Sequence, residues 1–381
     1  MDETSRKKTS RLPQLLYFLF FMLTGIACGY LSNDISENYR LVSGTLAPLL
    51  SMISIILLAF LALLIQTILH EAGHLLFGLL SGYHFLSFRV FSFLWMKENG
   101  KIRLKRLSLA GTDGQCLMGP PEMTEDDFPV ILYNLGGSFL NMISALIFGG
   151  LALLCRPLIL LSDFLLLLAW LGLGLGLLNG IPMRLNTVDN DGFNARSLVR
   201  STEARRAFWV QLSVSEQTAR GVRLRDMPED WFAPPDDAAL ENSMMAATSV
   251  FTANRLMDQH RFEEADRLMA HLMEAGSGFA GIYRNLMIYD RLYCELLGEA
   301  RGNVLQDLLS PAQQKFMKQM KNFPSVLRTE YAYALLAEKN GEKAAQLLAQ
   351  FEKCARTYPY ATDIQSEREL MDIAREKTLA G

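Results

Sequence analysis

His70 and His74 stand four residues apart in the order His70-Glu71-Ala72-Gly73-His74. On a helix, positions i and i+4 share a face, so both imidazoles can reach one ion. Glu71 falls on the adjacent flank, where its carboxylate can take a proton from a water activated by that ion. The chemistry this pattern points to is metal-assisted hydrolysis. An accidental pair on a core helix is the plainer explanation, and the location weighs against it. The motif lies inside the apolar run Leu46–Leu80 and holds two of the chain's five histidines. Ionisable groups in a bilayer-length segment are costly enough to mark function.

Two histidines do not complete a catalytic zinc site, which ordinarily takes three protein ligands and keeps one position open. His260 and His271 lie in amphipathic stretches and read as solvated histidines, while His84 lies in an aromatic strand and reads as packed or exposed. Two carboxylates remain, Asp189 and Asp191 of Val188-Asp189-Asn190-Asp191-Gly192, just past the last long apolar stretch. Asp-Asn-Asp-Gly is also a common polar turn.

Holding such a site in an apolar medium needs long hydrophobic helices, and the first half of the chain supplies about four. Residues 12–31, 46–80, 129–155 and 158–180 are each long enough to cross a hydrocarbon core of roughly 30 Å. The second is long enough to tilt or to run past the membrane edge. Residues 32–44 read as a short polar loop. Within 81–128, the β-prone stretches Phe85–Trp95 and Lys101–Leu109 flank Asn99-Gly100, a two-residue turn signal, so a β-hairpin or small sheet is expected there. Gly111–Pro121 reads as a Gly/Pro loop. Asn134, Gly136, Gly137 and Asn141 mark the third span as one that packs closely and needs polar partners. Asp163 reads as a helix N-cap at the interface, and the fourth helix should break at Asn179-Gly180-Ile181-Pro182.

Basic residues set the expected orientation. Arg6, Lys7, Lys8 and Arg11 precede the first span and six Lys or Arg lie in 81–128, against Arg40 and Arg156 alone in the other two loops. Both termini should therefore be cytoplasmic. Half of the 381 residues are hydrophobic, and a net charge of −3 excludes the strongly basic surface of a nucleic-acid binder. The five cysteines are scattered singly, without a metal or disulfide spacing. Residues 193–239 read as a juxtamembrane helix and a Pro-rich linker, and residues 240–381 as a soluble α-helical domain. Two helix-turn-helix units stand out there. They carry Ala253, Leu256, Ala265 and Ala332, Leu335, Ala344 at matching spacing, loosely similar to the small-large-small pattern of tetratricopeptide repeats.

The chain resembles the site-2 protease family of intramembrane zinc metalloproteases. The similarity rests on the H-E-x-x-H at 70–74, on Gly136-Gly137-Ser138-Phe139-Leu140-Asn141 in the next core span, and on Asn179-x-x-Pro182 followed by Asp191-Gly192. It covers roughly residues 46–195. The resemblance implies an all-α polytopic membrane domain of about four spans with a small cytoplasmic β insertion, set in a bacterial plasma membrane. It implies zinc held by His70, His74 and Asp191, with Glu71 as general base, and Asn141, Asn179 and Pro182 orienting an extended substrate. The substrate would be a membrane protein or peptide, and the helical C-terminal domain would meet a protein partner. The alternative function is a non-catalytic membrane scaffold with a structural or vestigial metal site, although such a site has no need of Glu71. Met183–Asn190 is longer than the family's usual spacing, which keeps Asp189 in contention. Gly192 predicts backbone freedom that turns Asp191 inward, with Asp189 on the same side as a partner for a ligating imidazole.

Overall fold

The computed structural model describes residues 12–98, 100–107, 114–125, 127–184, 189–275 and 281–380. It is mostly helical, with one small antiparallel sheet. The chain divides into two compact units: Met1–Tyr83 with Pro129–Arg200, and His84–Phe128 with Ser201–Gly381. The basic residues at 6–11 lie outside the described residues.

The first unit contains α1 (Leu12–Ser43), α2 (Ala47–Leu80), α3 (Ile131–Leu154), α4 (Ile159–Gly180) and the short α5 (Asp191–Arg200). The first four are long and apolar enough to cross a membrane. On α2 and α3 the burial is inverted relative to a water-soluble bundle. On α3 the buried side includes Asn134, Gly136, Ser138, Asn141 and Ser144, while Leu146 and Leu154 are exposed. On α2, Ile56, Leu57 and Phe60 face outward, and Gln66 and Glu71 are buried. Large apolar side chains outside and small or polar ones inside suit a hydrocarbon surround.

The helices approach closely where glycines meet. A Cβ on Gly73 would stand 2.2 Å from the Gly136 carbonyl oxygen, and one on Gly136 would stand 2.5 Å from that of Gly73. Gly73→Ala is therefore expected to push α2 off α3 and destabilise the fold by about 1–3 kcal/mol, the usual scale of overpacking. A melting temperature unchanged in detergent would contradict this contact.

The polar stretch 32–44 is not the expected loop, because α1 continues through it to Ser43. Leu31 and Ile35, one turn apart, stay buried in the core with Ile55, Ala62 and Leu167, and Ser32 Oγ lies 3.1 Å from Ser51 Oγ. That helical stripe outweighs the local polarity. Asp163 is not an N-cap either: Leu158 occupies that position, and Asp163 lies buried within α4. Helix α4 does end at Gly180, with Ile181 extended before Pro182. Tyr83 Oη donates to the Pro129 carbonyl oxygen at 2.8 Å, clamping together the points where the chain leaves this unit and returns.

In the second unit, β1 (His84–Val90), β2 (Phe93–Glu98), β3 (Lys101–Arg106) and β4 (Gly114–Gly119) form a sheet in the order β3-β2-β1-β4. Phe85–Trp95 is thus a hairpin rather than one strand. Val90 pairs with Phe93 across a turn in which Phe91 takes φ +52°, a conformation its residue type does not advertise. At the second turn Gly100 has φ +77°, as the sequence predicts, while Asn99 lies outside the described residues. The expected Gly111–Pro121 loop supplies β4, whose Cys116 and Met118 are buried as they pair with β1.

The remaining helices are α6 (Thr202–Ala219), α7 (Ser243–Asp258), α8 (Phe262–Glu274), α9 (Gly281–Leu297), α10 (Gly302–Leu308), α11 (Pro311–Gln319), α12 (Pro324–Leu336), α13 (Gly341–Ala355) and α14 (Ala361–Ala380). The two anticipated helix-turn-helix units are α7–α8 and α12–α13. Ala253, Ala265, Ala332 and Ala344 are all buried in the helical cores. The stretch 193–239 contains helix α6, and its later part is packed. Val210, Met227 and Phe232 form a core together, and Leu240 joins that of α7–α9. The sheet belongs with these helices, since Leu94, Met96 and Leu107 pack on Tyr358 and Tyr360, and Trp209 Nε1 donates to the Pro121 oxygen at 2.9 Å. A cut at residue 240 therefore passes through a core.

Candidate metal centre

Helix α2 presents His70 and His74 from successive turns, and their Nε2 atoms lie 3.3 Å apart. Asp191 is the first residue of α5, and its Oδ2 lies 3.1 Å from His70 Nε2 and 3.5 Å from His74 Nε2. Among the described residues this is the one group whose three donor atoms fall within 4.8 Å of one another.

The outer edges of both rings are fixed. His70 Nδ1 is 2.7 Å from Asn141 Oδ1, and His74 Nδ1 is 2.7 Å from the Tyr133 carbonyl oxygen. The orientation of the Asn141 amide follows from its surroundings. Its Nδ2 donates to the Gln66 carbonyl oxygen at 2.9 Å and to Gln66 Oε1 at 2.7 Å, and Gln66 Nε2 donates in turn to the Leu168 oxygen at 2.8 Å. Both acceptors therefore draw the ring proton to Nδ1, and the Nε2 lone pairs point at each other and at Asp191. Asp191 Oδ2 is buried with no other hydrogen-bond partner. Burial opposes ionisation of this carboxyl, but the His74 and His70 rings hold it below the usual carboxylate range. Three donor atoms this close together could hold a metal ion, and two imidazoles with one carboxylate are a donor set that suits zinc.

Glycines make the space for this arrangement. A Cβ on Gly137 would stand 2.6 Å from the His70 ring, and one on Gly192 would stand 2.2 Å from the Gly180 oxygen. Gly192 thus works through close approach to the end of α4, within the first turn of a helix, and not through the unusual backbone freedom expected of it. The turn is set by Asn190. Its Oδ1 accepts from Phe193 N at 2.9 Å, capping α5, and from Met183 N at 2.9 Å, while its Nδ2 donates to the Leu178 oxygen at 2.7 Å. Residues 185–188, within the extra length ahead of Asp191, lie outside the described residues.

The alternatives separate. Asp189 Oδ1 lies 3.7 Å from Arg184 Nε and is not the imidazole partner anticipated, because Asn141 and Tyr133 hold both Nδ1 positions. Glu71 is buried on α2 directly after His70. Asn141 is fully buried and its amide is committed to His70 and Gln66, so it positions a ring where a substrate contact was expected. Asn179 Nδ2 bonds within its own helix to the Leu175 oxygen at 3.1 Å, and Pro182 is exposed just beyond α4. His84 pairs with Glu216 at 2.7 Å and His271 with Asp237 at 2.7 Å, both within the second unit.

No family model matches the chain, and no curated protein or solved structure does either. The site therefore stands on its own geometry. Gln66, Tyr133 and Asn190 escaped the sequence reading. Gln66 carried a signal, being a costly polar residue one turn before His70 on the same face. Tyr133 acts through its backbone, which no side-chain pattern reveals. Asn141→Ala is expected to release the His70 ring and weaken any metal binding at this cluster about 10–100-fold, as loss of a ligand's supporting partner does. Competition with a chelator measures this, and an unchanged affinity would contradict the role.

Proposed function

We propose that the chain is a zinc-dependent endopeptidase of site-2 protease type, acting on membrane-protein or peptide substrates within or beside the bilayer. The observation that carries the reading is the convergence of His70 Nε2, His74 Nε2 and Asp191 Oδ2 beside a buried glutamate, with both histidines and the glutamate on a helix apolar enough to cross a membrane. Zinc bound by these three residues would supply Lewis-acid activation of water and of a scissile carbonyl. Glu71 takes one proton from the attacking water at its carboxylate and passes it to the leaving amine. The water's oxygen then ends in the new carboxyl group, and the amide C–N bond is broken. Asn141 and the Tyr133 carbonyl keep both rings in the tautomer that leaves Nε2 available. A helical substrate must unwind locally, since its carbonyls are otherwise occupied by helix hydrogen bonds.

In this reading the four apolar helices cross the cell membrane and both termini are cytoplasmic, following the basic residues. The α7–α8 and α12–α13 pairs offer a tetratricopeptide-like surface to a protein partner. The test is cleavage of a single-span reporter by purified full-length protein, with and without a chelator. Zinc-restored cleavage is expected. A chain that binds its metal and cleaves no such substrate would favour the scaffold. For topology, a reporter active only outside the cytoplasm, fused after Gly381, should stay silent, and its signal would overturn the orientation.

A further inference from the structure

The unit formed by His84–Phe128 and Ser201–Gly381 contains a cavity of about 370 Å³, near the lower end of the range for small-molecule sites. Gln115 and Leu117 of β4 line one part, and Tyr358, Tyr360 and Thr362, around the start of α14, line another. Its charged lining is two arginines, Arg223 and Arg328, against four carboxylates, Asp258, Asp290, Asp363 and Glu367.

The arginines are already matched. Arg328 is 1% exposed and pairs with Asp290 and with Glu367 at 2.8 Å, while Arg223 pairs with Asp258 and Glu369. Asp258 further accepts from Ser366 Oγ at 2.6 Å and from Arg225 N at 3.0 Å. Among the described residues no Arg, Lys or His pairs with Asp363, although Tyr358, Tyr360, Glu367 and Asp258 surround it. Next to it Thr362 is 8% exposed, and its Oγ1 is buried without a hydrogen-bond partner. A run of aromatic rings stands beside these groups. Phe323 and Tyr358 meet edge to face at 6.2 Å, and Tyr358 and Tyr360 at 6.0 Å.

An unmatched carboxylate, a buried hydroxyl without a partner and an aromatic wall together recognise a cation that also carries apolar surface. A bare metal ion fits less well, because these carboxylates do not converge: only His70, His74 and Asp191 bring three donor atoms within 4.8 Å among the described residues. We propose that this cavity binds a small organic cation, an ammonium or guanidinium group on a short apolar stem. Asp363 is its counter-ion, Thr362 Oγ1 accepts its hydrogen bond and the Tyr358 and Tyr360 rings form its wall. The proposal does not rest on the hydrolytic reading of the other unit.

Without a ligand, Asp363 is a strained group. Burial and the carboxylates of Glu367 and Asp258 push it up to about 7. The neighbouring elements contribute the matched pairs Arg223–Asp258 and Arg328–Asp290 and the two tyrosine hydroxyls, none of which neutralises it. A folded-state value above the unfolded one means stability that is present at low pH and lost as pH rises from about 4 to about 7. Asp363→Asn should therefore raise the melting temperature at pH 8, and raise it less at pH 5.

The experiment is calorimetric titration of full-length protein in detergent at pH 8 with 1,5-diaminopentane, agmatine and tetramethylammonium, using 1,5-pentanediol and CaCl₂ as controls. At least one organic cation should bind at millimolar concentration or below, and neither control should. Asp363→Asn should weaken that binding at least tenfold while melting higher than wild type, which separates lost recognition from lost folding. If that variant does not fold, Thr362→Ala should still weaken binding several-fold. Equal binding of the diol, binding of calcium alone, no binding of any of the three cations, or undiminished binding by the folded variant would each overturn the proposal.

Discussion

Glu71→Gln is expected to keep its zinc and lose at least about two to three decades of cleavage rate, the scale of one general base or more. The amide matches the carboxylate in size, so the buried position beside His70 is preserved. It cannot accept a proton at neutral pH, so the proposed transfer of a proton from water to the leaving amine would lose its carrier. None of the three converging donor atoms is touched, so metal content should not change. The comparison to make is cleavage rate and zinc content for the same preparations. Full activity with intact zinc would place the base elsewhere, and loss of zinc would give Glu71 a structural role.

Asp191→Ala is expected to empty the site at ordinary zinc concentrations, weakening binding by more than the 10–100-fold that loss of a supporting partner costs. Asp189→Ala should leave zinc binding close to wild type. From the sequence, Asp189 looked like a helper to an imidazole. In the structure both Nδ1 positions are taken by Asn141 and Tyr133, and Asp189 lies near Arg184 instead. Zinc retained after dialysis distinguishes the two variants. Emptying by Asp189→Ala with retention by Asp191→Ala would reverse the assignment.

The parts legible in the sequence are those with a period or a hard spacing. The four apolar helices follow from length and hydropathy, and the end of α4 from Asn179-Gly180-Ile181-Pro182. His70 and His74 follow from the i, i+4 rule. What escaped was decided by packing. Ser32–Ser43 is polar yet helical because Leu31 and Ile35 bury one face. Strand β4 lies in a Gly/Pro-rich stretch because β1 offers it an unpaired edge, and the β1–β2 turn is made by Phe91 without a glycine. The grouping of distant segments is likewise a matter of packing. The sheet between α2 and α3 and the helices after Ser201 meet through residues such as Leu94 and Tyr358, far apart in sequence. In the site itself, the ring-orienting roles of Asn141 and Gln66 depend on a contact between α2 and α3 that no local pattern contains.

The central claim is that His70, His74 and Asp191 together hold one zinc ion. X-ray absorption at the zinc edge, on full-length protein dialysed free of loosely bound metal, tests it most directly. The account predicts about one zinc per chain, with nitrogen and oxygen neighbours at about 2.0–2.2 Å, an imidazole signature from two rings and no sulfur at about 2.3 Å. Asp191→Ala should abolish that signal. Protein without zinc, a sulfur shell from the scattered cysteines, or an unchanged spectrum in Asp191→Ala would contradict it.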